Sequence, residues 1–351
     1  MMEIEEIEAA IEEAAKFKKN RAVVANVLKN KTAKAMELRK KIEVGKWNPP
    51  HHEKHTLREG SHKKERVIIK PRWDDEQIVH HMIIRQIRPI VTPRLYRYAY
   101  GSLPGRGSHD AVKTMTRWRN EYGNKRFYVF EGDIRKFYDN VDTEILKDKL
   151  RHRIRDRRYM ELVERVIDAS APGLPKGYYT SPWLANLYLA EFDNFIVQEL
   201  KPDRYLRYMD NLFIFHRNKK ELHRMVRRIT DFLADRLHLQ LHPCWQVYRF
   251  EGMNRRSGKI SGRAVNALGF VIHRDRVTIR KSILKRTRAK ANHIHKRKRY
   301  TRHDCASMLS RIGVFRHGQA YGYYLRYIKP KVSIHYCKRR LSLLAQRGAY
   351  K

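Results

Sequence analysis

Two apolar stretches of this chain each deliver an aspartate to the end of a strand, and that pairing constrains the fold more than any other feature. Residues 127–133, FYVFEGD, form a short apolar run suited to a buried strand, and it ends on Asp133. Residues 205–215, YLRYMDNLFIF, are two β-rich runs around Asp210-Asn211. Such a pair of residues between two such runs predicts a hairpin with Asp210 at its turn. Carboxylates at the ends of adjacent strands can converge. Taken singly, each aspartate is an ordinary turn residue.

Converging carboxylates suit a pair of divalent cations ~3.5–4 Å apart, the arrangement that serves nucleotidyl transfer. Mg²⁺, with Mn²⁺ as a substitute, takes oxygen ligands and keeps waters and phosphates, so few protein ligands are needed. Asp133 and Asp210 are the candidate ligands, with the backbone carbonyl of Ile134 as a third. Asn211, beside Asp210, keeps an oxygen but carries no charge.

The charge balance names the partner class. The 351 residues carry 77 Lys or Arg against 37 Asp or Glu, a formal net charge of +40. From residue 276 to the end there are 22 Lys or Arg and one acid, Asp304. Tyr321, Tyr323, Tyr324 and Tyr327 are interleaved there, and Leu309, Ile312 and Phe315 have helical spacing. This describes a folded basic domain that tracks phosphates, with nucleic acid as the leading partner. A basic architectural protein without chemistry is the alternative. Hydrophobic residues make up 42% of the chain, which excludes wholesale disorder. No run of ~18 apolar residues is present to span a membrane. The Glu-rich N-terminus is the wrong chemistry for a secretory signal. Three scattered cysteines, Cys244, Cys305 and Cys337, fit a reducing cytoplasm better than a disulfide framework.

The remaining pattern predicts the surroundings. Residues 1–20 hold six Glu, with Ile4, Ile7 and Ile11 at helical spacing, so an acidic amphipathic helix is expected, packing on the body or docking a partner. Residues 46–65 read as a Pro-, His- and Lys-rich linker or mobile loop. A strand follows at 66–70, then helices at 75–90, 143–168, 182–200 and 219–237, and a strand at 244–250. Runs 267–272 and 277–279 flank Arg274-Asp275 as a second hairpin. His51, His52, His55 and His62 lack a Cys partner at ligand spacing, which argues against zinc.

In these segments the chain resembles prokaryotic reverse transcriptases of the group II intron, retron and diversity-generating retroelement type, over roughly residues 60–290. GDIRKFYDNVD resembles the first palm motif of that family, and residues 173–193, GLPKGYYTSPWLANLYLAEFD, its glycine-containing motif opening a long helix. YLRYMDNLFIF resembles the YxDD hairpin, residues 267–275, ALGFVIHRD, the FLGF hairpin, and residues 102–112, SLPGRGSHDAV, the template-contacting segment.

The resemblance implies an α+β right-hand polymerase that copies RNA into DNA. The N-terminal helical extension would be residues 1–49, the fingers 50–126 with 140–180, the palm 127–280 with an antiparallel sheet and packed helices, and the basic helical thumb 281–351. It makes Asp133, Asp210 and Asn211 the catalytic positions. Tyr138 would sit under the sugar of the incoming nucleotide and reject a 2′-hydroxyl. The amides of Lys136 and Phe137, with Lys64, Arg66 and Lys70, would hold the triphosphate. Lys176 and Gly177 would lie along the nucleotide, glycine permitting close backbone approach. Leu268, Gly269 and Phe270 would grip the primer. The implied partners are a template RNA and its RNA/DNA hybrid, dNTPs and a small accessory protein.

Three departures matter. The hairpin reads YMDN rather than YxDD, Lys176 stands where the family has Gln, and no Lys occupies the LQLHPCWQVYRF segment, where His242 either serves as general acid or only packs. With about 70 residues after the FLGF-like hairpin, a thumb is expected and an endonuclease domain is not. A diversity-generating retroelement enzyme is the expectation. Ser181-Pro182, where those enzymes have Ser-Gln, keeps a retron or antiphage-defence enzyme open, and a non-catalytic RNA-binding scaffold is the rival from another class.

Overall fold

The computed structural model describes residues 3–50, 54–59, 64–169, 171–253 and 258–346. The chain begins with helices α1 (Ile4–Ala15), α2 (Ala22–Lys29) and α3 (Lys31–Glu43). Strands β1 (Lys54–Glu59) and β2 (Lys64–Ile69) lead to α4 (Glu76–Val91). Then come β3 (Ala99–Tyr100), α5 (Ser108–Tyr122) and β4 (Tyr128–Asp133). Helices α6 (Thr143–Arg151), α7 (Arg157–Asp168), α8 (Ser181–Tyr188) and α9 (Ala190–Phe195) precede β5 (Arg204–Tyr208), β6 (Asn211–His216) and α10 (Lys219–Leu237). Short strands β7 (Gln246–Arg249), β8 (Gly252–Met253), β9 (Ile260–Ser261), β10 (Val265–Ala267), β11 (Phe270–Ile272) and β12 (Val277–Ile279) follow. The chain finishes with α11 (Lys281–Arg297), α12 (Arg302–Phe315), α13 (Tyr321–Tyr327) and α14 (Ile334–Gln346). The class is α+β, as expected.

The main sheet has the strand order β3-β5-β6-β4-β7, so the two aspartate-bearing strands are neighbours. Edge strand β3 runs parallel to β5, with Ala99 opposite Arg207 and Tyr100 opposite Tyr208. The sheet is therefore mixed where an antiparallel one was expected. The chain forms two compact units. The first is Met1–Arg106, Glu131–Ile214 and Lys220–Gln246, and the second is Gly107–Phe130, Phe215–Lys219 and Val247–Lys351.

In the first unit α4 is a largely buried helix, its apolar residues Ile78, Val79, Met82, Ile83, Ile84 and Ile87 all packed inside. α1 packs against α4 and α3, burying Ile7, Ala10, Ile11 and Ala14. Its acids are answered within the chain. Lys31 Nζ lies 3.2 Å from Glu8 and 2.6 Å from Glu12, and Arg85 pairs with Glu13 at 3.1 Å. The acidic helix is thus a packing helix.

The expected linker at 46–65 contains β1, paired with β2 from Lys54 opposite Ile69 to Glu59 opposite Lys64. Residues 51–53 and 60–63, with His51, His52 and His62 among them, lie outside the described residues. The expected helix 143–168 is two helices, because Asp156 caps the second by accepting the Tyr159 N–H at 3.1 Å. Helix 182–200 likewise breaks at Leu189 and ends in a π-helical turn at Ile196–Leu200.

In the second unit Phe127 stacks on Tyr122 at 4.1 Å and on Phe250 at 4.6 Å, and Trp118 meets Phe215 edge-on at 5.8 Å. The basic C-terminal region folds into four helices around Ala291, Ile294, Cys305, Met308, Ile328, Val332 and Cys337. The run 267–272 is two strands rather than one. Leu268 (φ 53°) and Gly269 (φ 90°) turn the chain between β10 and β11, since paired left-handed residues make the tight hairpin turn.

Candidate active site

The site is built where β4 ends beside the β5–β6 turn. Val129 and Phe130 are buried, and Asp133 emerges half-buried at the strand end. Beyond it, His242 N–H donates to the Asp133 carbonyl at 2.7 Å, and Arg135 N–H donates to the Gln240 carbonyl at 2.8 Å. Ile134 N–H faces the other way and donates to the Asp210 carbonyl at 3.1 Å. A residue's N–H and C=O share one edge of an extended chain. The Ile134 carbonyl therefore lies on the Asp210 side, while that of Asp133 is engaged by His242. The two aspartates are one backbone hydrogen bond apart.

Tyr138 is half-buried, and its phenol is pushed well above the usual range, first by burial and then by the negative charge of Asp210. The ring thus lies within the field of the carboxylate. Asn211 Nδ2 donates to Asp210 Oδ1 at 3.3 Å, so this amide leans on the aspartate rather than repelling it as a second carboxylate would. Lys136 is left-handed (φ 45°) and opens the 3-10 turn Phe137–Asn140. The first amides of such a turn have no partner within it, which suits them to an anion. The Phe137 side chain is 2% exposed and belongs to the core.

The glycine-containing loop clamps this turn. Leu174 N–H donates to the Tyr138 carbonyl at 2.7 Å, and Lys176 Nζ reaches both Asp139 oxygens at 2.8 and 2.9 Å. Gly177 has φ 120°, a conformation that favours glycine. A Cβ there would sit 2.0 Å from the Ile69 carbonyl, and Ile69 N–H donates to the Lys176 carbonyl at 2.8 Å. The close approach that demands glycine is to β2 of this chain. Lys70 is exposed at the end of β2. Lys64 and Arg66 have described backbones within β2, and their side chains lie outside the described residues.

Leu268 and Gly269 form the β10–β11 turn, where Arg280 N–H donates to the Gly269 carbonyl at 2.9 Å. Phe270 is 1% exposed and packs edge-on against His109, so its ring belongs to the core. His242 accepts the Cys244 N–H on Nδ1 at 3.2 Å, which leaves Nε2 to carry the proton of the neutral ring.

Sequence reasoning passed over Arg207 and Asp193, both fully buried. The Arg207 guanidinium grips Asp193 with Nε at 2.8 Å and Nη2 at 2.6 Å. Its third nitrogen donates to the Met209 carbonyl at 3.0 Å and to Asn186 Oδ1 at 3.1 Å. The signal was an arginine at a core position of the strand YLRYM.

The donors suit a hard cation. The carboxylates of Asp133 and Asp210 and the Ile134 carbonyl are all oxygen donors, the set that Mg²⁺ or Mn²⁺ selects. Among the described residues no group of three or more His, Cys, Asp or Glu gathers as a separate metal cluster.

A family model described as reverse transcriptase (RNA-dependent DNA polymerase) matches residues 53–247. The chain is 30% identical over 132 residues to the protein YkfC of Escherichia coli K12, covering 34% of this chain and 35% of that one. It is 30% identical over 179 residues to the group II intron-encoded protein LtrA of Lactococcus lactis subsp. cremoris, covering 48% and 28%. The chain thus spans about a third of the length of these curated relatives. Among solved structures, telomerase from Candida albicans aligns over 82% of this chain and 58% of its own, at 10% identity and a TM-score of 0.48.

Proposed function

This chain belongs to the reverse transcriptase (RNA-dependent DNA polymerase) family, and we propose that it copies a template RNA into DNA by nucleotidyl transfer at Asp133 and Asp210. The observation that supports the proposal is the Ile134 N–H to Asp210 carbonyl bond, which joins the backbone after Asp133 to that of Asp210, with Tyr138 in the field of Asp210. In the reaction the primer 3′-oxygen bonds to the α-phosphorus of a dNTP, the α–β phosphoanhydride breaks, and pyrophosphate leaves. Asp133, Asp210 and the Ile134 carbonyl would hold two Mg²⁺ or Mn²⁺ ions, which when bound acidify the 3′-hydroxyl and neutralise the leaving pyrophosphate.

The chain's own groups supply the rest. Tyr138 occupies the space a 2′-hydroxyl would need. The amides of Lys136 and Phe137, with Lys64, Arg66 and Lys70, bind the triphosphate, and Lys176 lies along the nucleotide. His242 is the available general acid for the leaving pyrophosphate. Leu268 and Gly269 carry the primer contact. The basic surface, with 77 Lys or Arg in all, binds an RNA/DNA hybrid through its backbone. We assign residues 1–49 to an N-terminal extension, 50–126 with 140–180 to fingers, 127–280 to palm and 281–351 to thumb.

The setting we propose is a diversity-generating retroelement with a small basic accessory protein, supported by Lys176. Ser181-Pro182 supports a second reading, a retron or antiphage-defence enzyme, and the likeness to an intron-encoded protein supports a retroelement origin in general. A reducing cytoplasm is supported by the three free thiols. Among the described residues no helix is long and apolar enough to cross a membrane.

Primer extension tests the proposal. Purified protein is given an RNA template, a DNA primer, dNTPs or rNTPs, and Mg²⁺ or Mn²⁺, beside Asp210→Ala. Extension with dNTPs alone, lost in the variant, is expected. Inactivity even with RNA from the native host would favour the scaffold.

A further inference from the structure

We infer that the buried Asp193–Arg207–Asn186 cluster is a positioning device that holds Met209 in a left-handed conformation and so aims the carboxylate of Asp210. The inference rests on the polymerase reading above. Met209 has φ 53°, a conformation that costs energy in a residue with a side chain and persists where the surroundings over-determine it. Here every handle of Met209 is held. Its N–H donates to the Tyr100 carbonyl at 3.0 Å. Its carbonyl accepts Arg207 Nη1 at 3.0 Å. Its side chain fills the space beside Gly101, where a Cβ would lie 2.6 Å from Met209 Cγ. Its sulfur is 3.6 Å from Asn186 Nδ2.

The next residue is Asp210, whose carbonyl is tied to Ile134 N–H at 3.1 Å. The peptide that joins Met209 to Asp210 is therefore fixed on both sides, and the direction of the Asp210 side chain follows. Arg207 and Asp193 are both 0% exposed, and four donor contacts of the guanidinium are satisfied by Asp193, Asn186 and Met209. Tyr205 Oη completes the cluster by donating to Asp193 Oδ1 at 2.7 Å. A buried ion pair is weak as a source of stability, since apolar residues of like volume often serve as well. What leucine or methionine cannot do at position 207 is hold a backbone carbonyl across a strained turn. Arg207 is thus a positioning residue, with Asp193 and Asn186 orienting its fork.

The test is steady-state primer extension by the full chain, with kcat, the KM for dNTP, the half-saturating Mg²⁺ concentration and the melting temperature measured together. Wild type and Asp210→Ala flank Arg207→Lys, which keeps a charge for Asp193 and loses the fork. The expected result for Arg207→Lys is a fall in kcat of about 100-fold, with KM within about three-fold. The half-saturating Mg²⁺ should rise about ten-fold, and Met209→Gly in the same chain should recover part of kcat, because glycine takes a positive φ freely. Should Arg207→Lys not fold, Asn186→Ala removes one arm without stranding a charge and should show the same split at about ten-fold in kcat. An unchanged Mg²⁺ dependence, or a loss of activity that tracks the unfolded fraction, overturns the inference while the polymerase reading stands. An inactive wild type overturns both.

Discussion

Two buried aspartates, Asp193 and Asp304, each sit among cations, and they do different work. Asp193 serves a single arginine, which reaches past it to the carbonyl of a strained turn. Asp304, the one acid from residue 276 onward, gathers Lys290 at 2.7 Å and Arg297 from α11, and the N–H and hydroxyl of Thr301 at 3.0 and 2.7 Å. Burial works to raise its carboxyl, but the bonds from Lys290 and Thr301 overcome this and hold it well below the usual range. Asp304 caps its own helix and joins α11 to α12. One carboxylate aims a reactive group, and the other holds two helices together in a region crowded with positive charge. The same residue type at similar burial can therefore serve geometry or stability, and its partner's reach decides which.

The largest effect belongs to the group being aimed. Asp210→Ala or Asp133→Ala should lower extension by about 10⁴-fold or more, with a melting temperature near that of the wild type. A comparable loss of stability in these variants would place them with Asp304 instead.

His81 on α4 shows what burial does without a countercharge. It is 6% exposed, stacks on Tyr179 at 4.0 Å, and its Nδ1 has no hydrogen-bond partner among the described residues. Burial, helped by the charge of Lys18, pushes it down to about 4 from 6.5. The unfolded chain binds a proton between those values that the folded chain does not. Stability is then full above pH 6.5 and falls as pH drops towards 4, by at most about 3 kcal/mol. Urea melts across this range should show a shallower acid-side slope in His81→Phe. An identical slope would show that His81 titrates freely.

Asp304→Asn should cost about 1–3 kcal/mol of stability through the lost charge-assisted bonds, with kcat of the folded fraction within about two-fold. A larger loss of kcat at full folding would erase the contrast with Asp193. The smallest effect is expected at Lys176→Gln. The Lys176–Asp139 pair is partly exposed, and such pairs contribute about 0–1 kcal/mol. KM for dNTP should shift by no more than about five-fold, and product sequencing would register any change in error rate.

Much of this architecture was legible from local pattern. Apolar runs ending on Asp133 and flanking Asp210 placed both strands, and the 3.6-residue period placed α4 and α10. Strand β1, KHTLRE, escaped because its mostly polar sequence leaves no apolar alternation to read. The Asp156 cap that divides α6 from α7 was hidden in a charged stretch. The close pass of β2 beside Gly177 was hidden, because a sequence cannot show which strand lies next to a loop. The Asp193–Arg207 pair is 14 residues apart in sequence and joined by tertiary packing alone, so nothing local announced it. Phe270 went the same way, since a ring beside a turn can face core or ligand and only packing decides.

The measurement that bears most directly on the central claim is a count of bound Mn²⁺. Calorimetry or electron paramagnetic resonance would be run on the full chain with an RNA template, a primer ending in a 3′-dideoxynucleotide and the next dNTP. Two Mn²⁺ ions per chain in the wild type, with the loss of at least one in both Asp133→Ala and Asp210→Ala, is the predicted result. An unchanged count in either variant would contradict the assignment of these two carboxylates as the metal-holding site.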